Sequence, residues 1–141
     1  MEHRVSTAVA ASPEQIWPLF MNLERWPELT ESITSLRRLD TGPLHVGSET
    51  EIKQPRLPRA RWRVTELDPG HSFTWETKVG AVTSVGAHIV TPQGQGSEIT
   101  LTLSLHGPFA RTTGALLSRF TQRNLTLELD GFRRAAESAP V

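Results

Sequence analysis

Five polar side chains in this chain have the type and setting for proton transfer or ligand recognition: His88, Glu128, Asn124, Gln54 and Glu51. Histidine is the side chain whose ordinary titration lies nearest neutrality, so His88 is the first candidate catalytic group. It shares strand parity with Val82, Ser84, Gly86 and Val90. The opposite parity, Val85, Ala87 and Ile89, is also apolar, so the pattern leaves the inner face of this strand open. Asn124 and Glu128 fall inside the apolar arc of a C-terminal helix. Burying an amide or a carboxylate without partners costs several kcal/mol, so each needs a protein partner, water or a ligand. A neighbouring strand could satisfy Asn124, and Arg61 or Arg63 could pair with Glu128. Gln54 continues the row Thr50, Ile52, while Glu49, Glu51 and Lys53 alternate to the solvent side and make Glu51 the weakest acid–base candidate.

Other chemistries are excluded or disfavoured. With no cysteine there is no disulfide, thiolate nucleophile or Cys-based metal site. No His-Glu-x-x-His or comparable spacing occurs, so neither a metal nor a bound cofactor is expected. Gly94-Gln95-Gly96 lacks the strand-loop-helix setting of a phosphate loop and reads as a hairpin turn. The absence of tyrosine removes one common pocket acid. Fifteen basic and fifteen acidic residues give zero net charge, so no overall field favours nucleic acid or an anionic membrane. Arginine dominates the bases, as in GC-rich bacterial genomes. No apolar run is long enough for a membrane span or a signal core, so a cytoplasmic domain, monomeric or homodimeric, is expected.

The elements that must hold these side chains can be read along the 141 residues, 1–141 forming one domain. Val5 to Val9 alternates as a first strand. Ser12-Pro13-Glu14-Gln15 carries a capping box and a proline suited to the first helical turn. A second short helix should run to Trp26, where Pro27 disfavours helical geometry. Six strands then follow as hairpins: Ile33–Leu39, Val46–Gln54, Ala60–Leu67, Ser72–Lys78, Ala81–Val90 and Glu98–Leu105. Gly107-Pro108 opens one long amphipathic helix to about Ala136. Its apolar arc centres on Phe109, Leu116, Phe120 and Leu127, with Leu117, Leu125, Phe132 and Ala135 beside them. A curved antiparallel sheet of about seven strands wrapped around that helix would enclose a cavity. Strand parity puts Trp62 with Val64 and Phe73 with Trp75 on one aromatic side.

Antiparallel strands also bring the Pro55–Arg59 turn, the Val79–Ala81 turn and the start of the long helix to one end. Arg56, Arg59, Lys78 and Arg111 would then form an electropositive cavity mouth suited to an anionic ligand group.

Several of these stretches together resemble the SRPBCC group, which includes START lipid-transfer domains, Bet v 1-like proteins and polyketide cyclase/dehydrase families. They are Ser12-Pro13-Glu14-Gln15-Ile16-Trp17, Trp26-Pro27, Gln54-Pro55 with Leu57-Pro58, Trp62-Arg63-Val64-Thr65, Pro69-Gly70 with Phe73-Thr74-Trp75, His88, and the last helix with Glu128 and Glu137. The resemblance implies an α+β helix-grip fold with an internal apolar pocket. The leading expectation is binding of a small hydrophobic or aromatic ligand, anionic at one end, by Gln54, Trp62, Trp75, His88, Asn124 and Glu128. The alternatives are a polyketide cyclase/aromatase or dehydratase using His88, and a protein-interaction module like the chaperone-activating relatives. Function belongs to sites rather than folds, so the side chains decide among them.

Overall fold

Ser12 starts the first helix as its residue type requires: its Oγ accepts from Gln15 N at 3.3 Å, and Gln15 Oε1 accepts from Ser12 N at 2.9 Å. The computed structural model describes residues 2–138. The order is β1 (Glu2–Val9), α1 (Pro13–Met21), a 3-10 turn (Leu23–Arg25), α2 (Trp26–Leu29), β2 (Ser35–Arg38), β3 (Glu49–Lys53), β4 (Ala60–Asp68), β5 (Ser72–Val79), β6 (Val82–Gln93), β7 (Gly96–His106), α3 (Ala110–Leu116) and α4 (Ser118–Ser138). No helix among these residues is long and apolar enough to cross a membrane.

All seven strands form one antiparallel sheet in the order β1-β7-β6-β5-β4-β3-β2. The chain meanders from β2 to β7, and β1 adds to the β7 edge with Val9 opposite Ser97. A register shift between Val64 and Glu66 bulges β4 against β5. Bulges bend the strand and increase its twist, which helps curl the sheet around the helix. The strand faces resolve as alternation requires: Phe73, Trp75, Gly86, His88, Val90, Ile99 and Leu101 are buried on the inner face. Parity alone leaves the inner face of β6 open, and the structure puts His88 inside.

Two details of the helices depart from expectation. Trp26 begins α2 instead of ending a helix, because Pro27 occupies the first turn, where its missing N–H is not needed. The C-terminal helix is two helices, broken at Leu117. Phe109 lies outside α3 as its N-cap, in left-handed geometry at φ 64°. Gly107 before it also has positive φ and passes so close to Ala81 that a side chain would strike the carbonyl. This entry geometry turns the apolar arc, leaving Phe109 and Leu116 81% and 83% exposed. On α4 the buried stripe is Thr121, Leu125, Leu129, Phe132 and Ala136, while Leu127 is only half-buried. The neighbouring stripe Leu117, Phe120, Asn124 and Glu128 faces an internal cavity.

Helix α4 is seated from both sides. The Ala10 N–H donates to Glu137 Oε2 at 3.0 Å, tying the end of β1 to its last turn. Gly131 lies against α2 so closely that a methyl group there would overlap the Leu29 carbonyl oxygen. Gly131→Ala should therefore destabilise the fold by about 1–3 kcal/mol. In an open helix the same change gains about 1 kcal/mol from propensity. Urea denaturation gives the sign directly, and a gain in stability would contradict the close packing.

Candidate functional site

The inner face of the sheet and the second stripe of α4 enclose a cavity of about 270 Å³. Sheet residues Ile52, Trp62, Trp75, Thr77, Ser84, Leu101 and Leu103 form one wall. Thr113, Leu117, Phe120, Thr121, Asn124 and Glu128 form the other, with Trp26 and Ile33 also on the lining. Its lining is mostly apolar, with a few convergent polar groups, the usual constitution of a small-molecule pocket. Trp62 and Trp75 lie with ring centroids 5.5 Å apart and planes tilted 36°. Gly86 sits beneath them, where a Cβ would come within 3.4 Å of the Trp75 indole nitrogen.

His88 and Glu128 meet across this space. His88 Nε2 is 2.8 Å from Glu128 Oε1, linking β6 to α4 across 40 positions in sequence. Their side chains are 6% and 12% exposed. The imidazole is packed among aromatic rings: Phe73 stacks on it at 4.4 Å and 2°, and Trp26 lies 5.0 Å away at 39°. Phe20, Trp75 and Phe132 approach from other sides. Nδ1 is buried with no hydrogen-bond partner among the described residues. An orphan N–H donor there would carry the full desolvation penalty. The arrangement with the lower cost has Nε2–H donating to the carboxylate and Nδ1 left as a lone pair. The 2.8 Å bond holds the Glu128 carboxylate in one orientation. The carboxylate is the member of the pair that can accept from a ligand.

The expected arginine partners are elsewhere. Arg61 stands 3.9 Å from Glu49, and both it and Arg63 project from the outer side of β4. The strand bond suggested for Asn124 is absent too: its amide lines the cavity and makes no side-chain hydrogen bond among the described residues. Gln54 Nε2 donates to Ser32 O at 3.2 Å while the residue still lines the cavity. Glu51 is on the outer face, 3.4 Å from Arg59 and 3.7 Å from Arg37, and is not an acid–base group of this site.

Gln54, Trp62, Trp75, His88, Asn124 and Glu128 are thus brought together on one lining. Arg56, Arg59, Lys78 and Arg111 are exposed and none of them is on it. Their apolar neighbours Leu57, Pro58 and Val79, with Thr113, take the lining positions at that end. Sequence reasoning missed Thr77, Ser84 and Thr121 as cavity hydroxyls. Ser84 shares the parity of His88, and Thr121 lies one turn before Asn124, so both could have been found from those anchors.

A family described as "Polyketide cyclase / dehydrase and lipid transport" matches residues 2–137. The chain belongs to that family. No curated protein matches it. Among solved structures, this polyketide cyclase/dehydrase-family chain is similar to TTHA0849 from Thermus thermophilus, with TM-score 0.80 and 20% identity over 100% of both chains. The di-domain ARO/CYC StfQ from the steffimycin biosynthetic pathway superposes at TM-score 0.78 and 14% identity, over 96% of this chain and 50% of that one. Truncated norcoclaurine synthase from Thalictrum flavum gives TM-score 0.78 and 17% identity, over 99% and 95%. At these identities the likeness establishes the helix-grip fold expected from the sequence.

The His88–Glu128 pair makes a stability prediction. His88→Leu strands a mostly buried carboxylate and should cost about 3–5 kcal/mol. Replacing both residues by leucine removes that penalty and should restore most of the loss. Chemical denaturation of the single and double variants measures the difference. A double variant less stable than His88→Leu alone would show that the pair is not a coupled unit.

Proposed function

We propose that this domain binds one small ligand with an apolar or aromatic framework in the cavity between the sheet and α4. The observation that carries the reading is the cavity itself, about 270 Å³ with the Trp62–Trp75 pair on its wall. Close-packed interiors leave few voids larger than a water molecule, and an empty one forfeits contacts along its whole lining. Asn124 adds support, since its amide brings both a donor and an acceptor to that lining. The family description, which names both cyclases and lipid transport, agrees with a small hydrophobic ligand.

A second reading, acid–base turnover of the bound molecule, draws on the 2.8 Å bond that holds the Glu128 carboxylate. Glu128 would then be the proton acceptor and His88 its positioning residue, in a reaction of the cyclase or dehydratase type suggested by the ARO/CYC neighbours. The chaperone-activator reading needs an open apolar groove and gains nothing from a helix whose apolar stripe is covered by the sheet.

Native mass spectrometry of freshly purified protein should detect a bound small molecule that is released on denaturation. Trp62 is the cleaner of the two tryptophans to remove, being half-buried whereas Trp75 is buried. Trp62→Ala should weaken binding of a naphthalene-type probe about tenfold. The variant should remain cooperatively folded by circular dichroism. Unchanged affinity in a folded variant would contradict the proposed ring contact.

A further inference from the structure

The charges around the mouth and the charge inside the cavity favour opposite ligands. Arg56, Lys78 and Arg111 are exposed, and Arg59 lies 3.4 Å from Glu51. None reaches the lining, and attraction from solvent-exposed charges decays within about 8–10 Å at physiological salt. Along α4 and the residue before it, Glu128 is roughly 16 Å from Leu117 at 1.5 Å per residue. A group seated at Glu128 is therefore remote from that basic rim.

The lining among the described residues contains one carboxylate, Glu128, and no lysine or arginine. The carboxylate can accept about four hydrogen bonds. Among the described residues it accepts one, from His88. The other polar groups nearest along the helix, Asn124 and Thr121, are neutral. An anion bound here would face a second negative charge in a largely desolvated space, where like charges repel more strongly than in water. A cation would instead pair with that charge and donate to the carboxylate's remaining acceptor positions.

We propose that the ligand carries a protonated amine that docks on Glu128, with its ring system against Trp62 and Trp75. This specifies the ligand class within the cavity-binding reading and rests on it. An ammonium presents three donors to a carboxylate that still has free acceptor positions. The tilted tryptophan pair offers π faces, which attract cations and accept aromatic rings. The volume of about 270 Å³ suits an amine built on one or two rings. His88 fixes the carboxylate through Oε1, so the docking direction is set before the ligand arrives.

Three probes of matched size test the proposal at neutral pH: naphthylethylamine, naphthylethanol and naphthylacetate. Calorimetry should rank the amine about tenfold tighter than the alcohol, and the alcohol above the carboxylate. Glu128→Gln keeps the shape and removes the charge, so the amine should lose its advantage over the alcohol. Circular dichroism checks the fold of that variant; should it not fold, the ranking on the unmodified protein still decides. Carboxylate binding equal to or tighter than amine binding would overturn the proposal, as would an amine preference that survives in folded Glu128→Gln. Failure of all three probes to bind would instead overturn the cavity-binding reading, and this inference with it.

Discussion

One hydrogen bond, His88 Nε2 to Glu128 Oε1, joins the middle of the sheet to the helix it clasps, and most of the site follows from it. A carboxylate placed on an inward helix stripe is costly unless something donates to it. The imidazole meets that need, and Phe73, Trp26 and Phe20 hold the ring in its plane. The same bond withdraws Glu128 from bulk water while leaving it on the cavity lining. A polar anchor at a fixed depth in an apolar space is what a selective small-molecule site requires.

The surrounding fold serves that geometry. The β4 bulge helps the sheet bend, and the sheet order puts β6 near its middle with partners on both edges. Gly131 and Glu137 hold α4 at its far half, where the buried stripe is continuous through Leu129, Phe132 and Ala136. The near half is less tightly filled, since Leu117, Phe120 and Asn124 border the cavity instead of core atoms. Packing density therefore falls along one helix, from a closed aromatic end to the cavity. The break at Leu117 and the left-handed Phe109 lie at the loosely packed end.

Period and capping made most of the fold legible. Alternation in Ile99, Leu101, Leu103 and Leu105 identified β7, and the Ser12 capping box identified α1. The SRPBCC resemblance agreed with the family match over 2–137. The helix break was not legible, because Phe109 adopts left-handed geometry that a bulky side chain seldom takes, and a phase counted from it runs wrong. Within the site, Gln54, Trp62, Trp75, Asn124 and Glu128 were reachable from parity and helical spacing, whereas parity left the face of His88 open. The partner of Glu128 was not, since a contact spanning 40 positions depends on how two elements meet across the cavity. Alternating strand direction brought the basic loops to one end, where their side chains are exposed and stand off the lining.

The state of the His88 ring tests this organisation most directly. Two-bond and three-bond 15N–1H correlation spectroscopy on the uniformly labelled protein distinguishes an N–H nitrogen from a lone-pair nitrogen in each imidazole. The geometry predicts a single fixed tautomer for His88, with the proton on Nε2, bonded to Glu128 and slow to exchange with water, and with Nδ1 bearing a lone pair. Glu128→Gln should change the Nε2 signal and leave those of exposed His45 and His71 in place. A His88 ring that averages between tautomers and exchanges freely with solvent would contradict the central bond, and with it the description of Glu128 as a held and oriented group.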